Sequence, residues 1–389
     1  MEKMTLAEII DAVDGSFGYP SDVFVDNIST DTRTIKEGSV FVAIKGEKSD
    51  GHDYAVKAMG LGAVAVISER AVDGAKCIIV DSTRKALLDL AAYYRSKFQI
   101  PVVGITGSVG KTTTKEMIAL VVAEQFNTLK TMGNHNNEIG VPLTLFRLEN
   151  SHEAAVIEMG MSDFGEISRI TRAVKPDAAI ISNIGVSHIE HLGSREGILR
   201  AKLEILEGMK ADAPVILNGD DDMLVTVRPG SHPVIYYGIE NSESSFKASE
   251  ITSKEDETGL TVGFSGGSGR VSLPFPGRHN IYNALAAVAA GSLFGIEVQD
   301  GLNALKNYVP AGMRQKIVKK SGITFIEDCY NANPDSMKAS LVTLNTIKKT
   351  RSIAVLGDML ELGDYSDTAH YEVGKIGYEL QSDITASSG

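Results

Sequence analysis

The sequence predicts an α/β protein made of three units: a small N-terminal α/β unit, a central parallel-sheet unit and a third α/β unit. Three observations lead to this prediction. The chain has 389 residues, which is more than one hydrophobic core usually accommodates. Apolar strand-like runs alternate with helical stretches along most of its length. A glycine-rich turn joins one such run to a helix within residues 101–116.

Residues 1–97 form the first predicted unit. A helix is expected over residues 6–13, and strands over 23–28, 40–44, 63–67 and 77–80. Two polar clusters, residues 29–33 and 45–53, each follow a strand. Polar loops at strand ends are where α/β folds bind ligands. Composition alone fits solvated turns equally well.

Residues 98–310 form the second predicted unit. Strands are expected over 102–106, 154–159, 178–183 and 214–217, and helices over 115–125, 165–173 and 195–209. This alternation predicts a mainly parallel sheet wrapped by helices. Residues 234–273 change to short alternating runs, which predict an antiparallel extension of the same sheet. The acidic tract 240–257 is expected to be a solvated loop or an edge.

Residues 311–389 form the third predicted unit. The expected strands are 323–327 and 353–356, and the expected helices are 336–346 and 368–380. The pattern stops at residues 385–389. Two β-α units are few for a domain that is stable by itself.

The composition argues against several classes of protein. A formal net charge of −12 does not favour general nucleic-acid binding. No apolar run has the length of a membrane span, and the first residues lack the apolar core of a signal peptide. The two cysteines, Cys77 and Cys329, follow no metal-ligand or disulfide pattern. We expect a cytoplasmic protein without a nucleic-acid partner.

The most informative stretch is residues 101–116, which read PVVGITGSVGKTTTKE. Backbone N–H groups of a loop between strand and helix bind phosphate, the lysine reaches the outer phosphates and a hydroxyl holds Mg²⁺. Ile105 stands where the general template has a glycine, so the loop is a variant. An ordinary glycine turn with a surface lysine is the alternative. The phosphate-binding candidates are Gly107, Ser108, Val109, Gly110, Lys111, Thr112 and Thr113.

Other polar residues follow the predicted strands of the central unit. Glu158 ends an apolar strand near the phosphate loop, where a carboxylate can hold Mg²⁺; a solvated carboxylate is the alternative. His188 follows the next strand and is as consistent with a structural role as with a functional one. The loop containing Asn134 and Asn137 favours a ligand over a plain turn. Lys202, taken alone, is typical of an ordinary helix lysine.

A second set of polar residues lies further along the chain. Asn280 and Asn283 are three apart, so both amides lie on one helix face, where an adenine edge or helix capping explains them. Polar groups also mark the start and the strand ends of the third unit: Arg314, Asp328, Tyr330, Asn331 and Asn333.

These residues belong to segments that resemble the Mur ligase family of bacterial cell-wall synthesis. The segments are TDTR, FVAIKG, DGH, GITGSVGKTTTKE, GNHNNEIGVPLTL, EMGMSDFGEI, GRHNIYNALAA, DCYNANPDSM and LGDMLELG. The phosphate loop is shared by all Mur ligases and by folylpolyglutamate synthases. NNEIGVP and YNANPDSM resemble more narrowly the member that joins D-alanyl-D-alanine to UDP-N-acetylmuramoyl-tripeptide.

The resemblance implies a role for each candidate, with ATP and Mg²⁺ as cofactors. Lys111 would contact the ATP phosphates, Thr112 and Glu158 the first Mg²⁺, and His188 a second. Lys202 matches a lysine that the family carbamylates, which reverses its reading as an ordinary lysine. The remaining matches imply adenine contacts for Asn280 and Asn283, the γ-phosphate for Arg314 and the ribose for Asp328. Nucleotide or peptide contacts are implied for Tyr330, Asn331, Asn333, Asn134 and Asn137, and UDP contacts for Ser29, Asp31, Arg33, Lys45, Asp50, Gly51 and His52.

The implied reaction is ATP-dependent amide formation through an acyl phosphate, in a protein expected to be monomeric. The resemblance also implies a Rossmann-like third domain, which is truncated here, since the family's further strands and basic segment do not follow. A sibling Mur ligase or a folylpolyglutamate synthase-like ligase is one alternative, and a non-catalytic nucleotide-binding remnant is another. The spacing after Gly107 argues against a hydride-transferring dinucleotide enzyme.

Overall fold

The computed structural model of the protein describes residues 1–310, 312–347 and 350–386, and of residues 383–386 the backbone alone. The expected pattern at 385–389 therefore lies partly outside the described residues. In this part of the chain, no helix has both the length and the apolar character that crossing a membrane requires.

The N-terminal unit contains a parallel four-stranded sheet in the order β3-β4-β5-β6 and a two-stranded antiparallel ribbon of β1 and β2. Its elements are β1 (Met4–Thr5), α1 (Leu6–Ala12), β2 (Phe24–Val25), β3 (Asn27–Ser29), β4 (Ser39–Val42), α2 (Ala55–Gly60), β5 (Ala63–Ser68), β6 (Cys77–Ile79) and α3 (Thr83–Ser96), with 3-10 turns at Thr32–Thr34 and Gly51–Tyr54.

One strand prediction in this unit was wrong. The expected single strand over 23–28 is divided between the ribbon and the parallel sheet. The division arises because Met4 and Thr5 pair with Val25 and Phe24 outside the main sheet, while Asn27 begins the pairing with Ser39 inside it.

The central unit is a nine-stranded sheet in the order β15-β14-β13-β12-β11-β10-β7-β9-β8. Its strands are β7 (Val102–Thr106), β8 (Thr128–Lys130), β9 (Ala154–Glu158), β10 (Ala178–Ile181), β11 (Val215–Asn218), β12 (Val234–Gly238), β13 (Phe246–Ser253), β14 (Thr258–Phe264) and β15 (Gly267–Leu273). Its helices are α4 (Lys111–Val122), α5 (Gly140–Leu145), α6 (Glu166–Val174), α7 (Ile189–Leu192), α8 (Arg195–Leu203), α9 (Arg278–Leu293) and α10 (Val298–Ala304), with 3-10 turns at Glu204–Gly208, Leu224–Thr226 and Leu305–Asn307.

From β8 to β13 in the order of the sheet, neighbouring strands pair in parallel, whereas β13, β14 and β15 pair antiparallel. The antiparallel extension predicted over residues 234–273 is therefore confirmed for β13 to β15 and wrong for β12, which pairs in parallel with both of its neighbours. Two hydrophobic cores cover the two faces: α4, α9 and α10 pack on one, and α3, α5, α6 and α8 on the other. Helix α8 ends at Leu203 and the chain continues as a 3-10 turn, so the expected helix 195–209 is shorter than predicted.

The acidic tract 240–257 is not a solvated loop or an edge throughout. Its middle forms β13, an inner strand that pairs with β12 on one side and β14 on the other. Phe246 and Ala248 are buried, while Lys247 between them is not. The strand therefore has one apolar and one polar face, and the polar residues dominate its composition.

The third unit contains β16 (Lys316–Lys320), β17 (Ile323–Glu327), α11 (Pro334–Ile347), β18 (Ile353–Leu356), α12 (Ser366–Glu379) and β19 (Asp383–Ala386), with a 3-10 turn at Gly363–Tyr365. β16 and β17 pair antiparallel, and β18 and β19 pair in parallel. Its small core includes Leu341, Met359 and Leu362, and two residues of the central unit, Val186 and Ile189, pack against it. The third unit thus shares its core with the loop that follows β10.

Candidate active site

A glycine-rich loop joins β7 to α4 at the carboxyl edge of the central sheet. Gly110 is the N-cap of α4 with a φ of 81°, in the left-handed region that favours glycine. Gly107 has a φ of 153° and lies against Ser182, where an added Cβ atom would be 1.9 Å from the serine Oγ. These two glycines allow the tight turn that presents the helix N-terminus to a phosphate.

The residue that fixes this loop is Asn183, just beyond β10. The backbone N–H of Val109 donates to Asn183 Oδ1 over 2.8 Å, and Asn183 Nδ2 donates to the Val109 carbonyl over 2.9 Å. The N–H of Ser108 donates to the carbonyl of Asn183 over 3.1 Å. Asn183 is not among the site residues predicted from the sequence. An asparagine at the end of a strand next to β7 is the signal that could have identified it.

Lys111 begins helix α4, and its ammonium group lies over the phosphate loop. Nζ donates to the carbonyl oxygens of Gly107, over 2.7 Å, and Ser108, over 3.2 Å. Burial lowers the pKa of Lys111, Glu158 opposes this shift, and the positive charge of Arg314 adds to it. Two half-buried cations that line the same cleft favour an anionic ligand between them.

Glu158 ends β9, the strand beside β7, and its side chain is 1% exposed. Its Oε1 accepts hydrogen bonds from Asn136 Nδ2 over 2.8 Å and from Thr112 Oγ1 over 3.2 Å. Its Oε2 is buried without a hydrogen-bond partner. A buried carboxylate whose Oε1 lies beside a threonine hydroxyl is a donor set that suits Mg²⁺.

No group of three or more His, Cys, Asp and Glu side chains within the described residues is arranged to hold a metal ion. Mg²⁺ is usually bound by one or two carboxylates together with water and substrate phosphates. Thr112 and Glu158 therefore fit such an ion.

His188 and Lys202 differ in their surroundings. His188 has a left-handed φ of 64°, and its Nδ1 contacts Glu361 of the third unit. Burial lowers the pKa of His188, Glu361 opposes the shift, and Lys111 and Lys202 add to it. Lys202 is 1% exposed, so its reading as an ordinary helix lysine was wrong. Burial, followed by repulsion from Lys111, lowers the pKa of Lys202 far below its usual value.

Polar side chains of α9 and the third unit line the far side of the site. Asn283 Nδ2 donates to Asn280 Oδ1 over 3.1 Å, so the two amides share one face as predicted. The guanidinium of Arg314 lies over the ring of Tyr330, 3.9 Å from its centroid. Asp328 Oδ1 accepts from the backbone N–H of Gln315, and its Oδ2 accepts from Ser340 Oγ.

Three of the predicted asparagines make local backbone hydrogen bonds. Asn137 Oδ1 accepts from the N–H of Gly140 over 2.9 Å, and Asn333 Oδ1 accepts from the N–H of Ser336 over 2.9 Å. Asn331 Oδ1 accepts from the N–H of Ala332 over 3.0 Å. These side-chain oxygens stabilise the loops, and the NH₂ group of each side chain can donate a hydrogen bond to a ligand.

A cleft of about 1050 Å³ between the central and third units brings most of the candidates together. The predicted residues that line it are Ser108, Val109, Gly110, Lys111, Thr112, Thr113, Asn134, Asn137, Glu158, His188, Asn280, Asn283, Arg314, Asp328, Tyr330, Asn331 and Asn333. Gly107 and Lys202 are not part of its lining, and neither are the seven candidates of the N-terminal unit.

The seven N-terminal candidates form two local networks of their own. Arg33 pairs with Asp31, and Ser29 is 4% exposed with its hydroxyl donating to the Asp31 carbonyl. His52 is 2% exposed: Nδ1 contacts Asp50 Oδ1 at 2.5 Å, and Nε2 accepts the N–H of Glu69. The ring of His52 therefore shapes its loop and has no free nitrogen for a ligand.

The other members of the second network are backbone features. Lys45 pairs with Asp50 through an isolated β-bridge, and the Lys45 carbonyl accepts from Arg84. Gly51 packs against Ile44, where a Cβ atom would lie 2.6 Å from backbone atoms.

A phosphate loop at the carboxyl edge of a parallel sheet places the chain in the class of P-loop nucleotide-binding proteins. Three family models match it: the Mur ligase family catalytic domain over residues 24–102, the Mur ligase middle domain over 105–291 and the Mur ligase glutamate ligase domain over 313–385. The chain belongs to the Mur ligase family. The resemblance and the α/β fold class predicted from the sequence are thereby confirmed.

Relatives and solved structures agree with this membership. The UDP-N-acetylmuramoyl-tripeptide–D-alanyl-D-alanine ligase of Bacillus subtilis is 40% identical over 384 residues, which cover 97% of this chain and 83% of the relative. A crystal structure of MurF from Acinetobacter baumannii has a TM-score of 0.95 at 35% identity and covers 99% of this chain and 86% of that one. MurF of Thermotoga maritima in complex with ADP has a TM-score of 0.85 at 29% identity, and the match covers 93% of this chain and 88% of that one.

Proposed function

We propose that this protein is an ATP-dependent ligase that joins D-alanyl-D-alanine to UDP-N-acetylmuramoyl-tripeptide. One observation carries the proposal: Lys111 and Thr112 of the phosphate loop lie beside the buried carboxylate of Glu158, in a cleft completed by the third unit. The name of the Bacillus subtilis relative, at 40% identity, supports the choice of substrates.

The first step activates a carboxylate that is unreactive by itself. An oxygen of the tripeptide's terminal carboxylate attacks the γ-phosphorus of ATP, the bond from that phosphorus to the β-γ bridging oxygen breaks, and ADP leaves with the electron pair. Two anions must approach each other, so cationic side chains lower the barrier. Lys111 and Arg314, which both line the cleft, supply that charge.

The second step forms the amide. The free amine of D-alanyl-D-alanine attacks the carbonyl carbon of the acyl phosphate, the nitrogen loses a proton, and inorganic phosphate departs with the C–O electron pair. Water would hydrolyse the acyl phosphate, so the site must exclude it. Val186 and Ile189 pack against the core of the third unit, so this unit covers the loop that follows β10 at one side of the cleft.

Magnesium would be held by Thr112 and Glu158, with a second ion at His188 and Lys202. When bound, Mg²⁺ neutralises negative charge on the transferring phosphoryl group. Lys202 would serve as a carbamate: its neutral amine bonds to the carbon of CO₂ and releases a proton, which gives an anion. The burial of Lys202 and its strongly lowered pKa support this chemistry.

The remaining assignments follow the cleft. We assign adenine to Asn280 and Asn283, the ribose to Asp328, and the nucleotide and peptide borders to the lining residues Asn134, Asn137, Tyr330, Asn331 and Asn333. UDP is assigned to the N-terminal loops that contain Ser29, Asp31, Arg33, Lys45, Asp50, Gly51 and His52. Ser29 and His52 would act by fixing these loops.

We further propose that the protein is a cytoplasmic monomer with domain boundaries near residues 97 and 310. Size-exclusion chromatography with light scattering tests whether the protein is a monomer. Limited proteolysis followed by mass spectrometry tests the boundaries, because exposed linkers between domains are cleaved first.

ADP release tests the function directly. We expect release that requires ATP, Mg²⁺, the UDP-tripeptide and D-alanyl-D-alanine together, and the ligated product by mass spectrometry. Lys111→Ala should reduce the rate on the order of 10²- to 10³-fold. Lys85→Ala, on the exposed face of α3, is the matched control and should change nothing.

Three results separate the alternatives. Turnover only with other UDP-peptides indicates a sibling Mur ligase, and turnover only with a folate and glutamate indicates a folylpolyglutamate synthase-like enzyme. Binding of ATP without turnover of any of these indicates a non-catalytic remnant. A full rate in Lys111→Ala contradicts the role of the phosphate loop.

A further inference from the structure

Lys115 lies one turn after Lys111 on helix α4, and its side chain is fully buried. Its ammonium group has three oxygen neighbours. Nζ donates to the Thr131 carbonyl over 2.6 Å, and it lies 3.0 Å from Glu116 Oε1 and 3.8 Å from Glu158 Oε2. A buried lysine is strongly unfavourable without such partners, so its position is determined by these oxygens.

The two oxygens of Glu158 have different environments. Oε1 accepts from Asn136 and Thr112, both of which line the cleft. Oε2 has no hydrogen bond and faces Lys115, the only ion-pair partner of this carboxylate in the described part of the chain. Glu158 therefore presents one oxygen toward the cleft and keeps the other beside a buried cation.

We infer that Lys115 is a positioning residue that determines metal specificity, because it restricts Glu158 to coordination through a single oxygen. The inference deepens the proposed function, since it rests on a metal ion at Glu158. Ca²⁺ takes six to eight oxygens and readily accepts both oxygens of one carboxylate, whereas Mg²⁺ requires a compact octahedron. A carboxylate with one available oxygen thus favours Mg²⁺ over Ca²⁺.

The neighbouring charges provide a matched control. Glu116 is shared between Lys115 and Lys130, whose side chain is 39% exposed. Lys130 thus belongs to the same ion-pair network, and the ion pairs and hydrogen bonds of its ammonium group do not include Glu158 in the described structure. Removal of Lys130 perturbs Glu116 and leaves Glu158 with its partner.

The test compares Lys115→Met with wild type and with Lys130→Met. Mn²⁺ is bound to each protein with a non-hydrolysable ATP analogue and followed by electron paramagnetic resonance. The concentrations of Mg²⁺ and of Ca²⁺ that displace half of the bound Mn²⁺ are then measured. The ratio of these two concentrations measures the preference for Mg²⁺ over Ca²⁺. In Lys115→Met we expect this ratio to change by about tenfold in favour of Ca²⁺, a typical effect of removing a residue that orients a metal ligand. Lys130→Met should retain the wild-type ratio.

A purely structural role for Lys115 would weaken the binding of both ions and leave their ratio unchanged. An unchanged ratio in a folded Lys115→Met protein overturns the inference. If Lys115→Met does not fold, Glu116→Gln replaces it: Lys115 then has Glu158 as its only carboxylate, and the ratio should shift toward Mg²⁺. An unchanged or opposite shift in Glu116→Gln overturns the inference.

Failure of the ligase function is seen as missing turnover in the ADP-release assay, whereas failure of the metal site at Glu158 is seen in the Mn²⁺ experiment itself. Wild type would then bind no Mn²⁺ in the presence of the nucleotide analogue. That outcome rejects the metal assignment at Glu158, and the inference with it, before any variant is compared.

Discussion

The amide of Asn183 organises the phosphate loop, so Asn183→Ala should weaken nucleotide binding. The substitution removes two hydrogen bonds to Val109, one of 2.8 Å to its N–H and one of 2.9 Å to its carbonyl. Each contributes about 0.5–1.5 kcal/mol. Because the nucleotide must then order the loop itself, about 1–3 kcal/mol is lost from binding, which raises Kd about 5- to 150-fold.

Isothermal titration with a non-hydrolysable ATP analogue and Mg²⁺ measures this change. Asn127→Ala is the matched control, because Asn127 Nδ2 also donates to a backbone carbonyl, that of Ser151 over 2.8 Å, and it does not line the cleft. Wild-type affinity in a folded Asn183→Ala protein would refute the claim that this asparagine preorganises the loop.

Three further substitutions test other parts of the account. Glu158→Gln should raise the Mg²⁺ concentration for half-maximal ADP release at least about tenfold; an unchanged Mg²⁺ dependence contradicts the assignment. Gly110→Ala puts a Cβ atom at a φ of 81° and 3.0 Å from Asn283 Oδ1, so thermal unfolding should show a loss of about 1–2 kcal/mol. The pKa of Glu8 is lowered from 4.5 to about 2, mainly by its hydrogen bond with Lys97. The ionised Glu8 carboxylate therefore stabilises the folded protein fully above pH 4.5, and this contribution is lost as the pH falls toward 2. Glu8→Gln should therefore flatten the dependence of Tm on pH below 4.5, and a wild-type slope would count against this ion pair.

Local signals in the sequence predict the elements beside the site with good accuracy. Strand β7 was predicted with its observed bounds, because an apolar run between Pro101 and Gly107 is a strong strand signal. Helix α4 begins at Lys111, before the predicted position 115. Threonines have low helix propensity and conceal this first turn, in which Thr114 Oγ1 donates to the Gly110 carbonyl.

Pairing between distant segments explains what the sequence did not predict. β13 is polar in composition, and only its partners β12 and β14 make it an inner strand. The short strand β8 was also missed, since it is defined by its parallel pairing with β9. β propensity depends on such context more than helix propensity does.

The same limit applies to the site. The sequence alone places Glu158, His188 and Asn283 at element ends, and parallel topology then brings them to one edge of the sheet. Burial is not visible at Lys202 or Lys115, because the helix pattern around each is compatible with a solvated lysine. Only the packed structure identifies these two lysines as buried.

The central claim is that the backbone around Lys111 binds a triphosphate beside a metal ion at Glu158. A crystal structure with a non-hydrolysable ATP analogue and Mn²⁺, located by its anomalous signal, tests this most directly. We predict phosphate oxygens on the loop N–H groups and Lys111 Nζ, with the Mn²⁺ signal next to Glu158 Oε1 and Thr112 Oγ1. A nucleotide bound elsewhere, or a metal signal away from Glu158, would contradict the account.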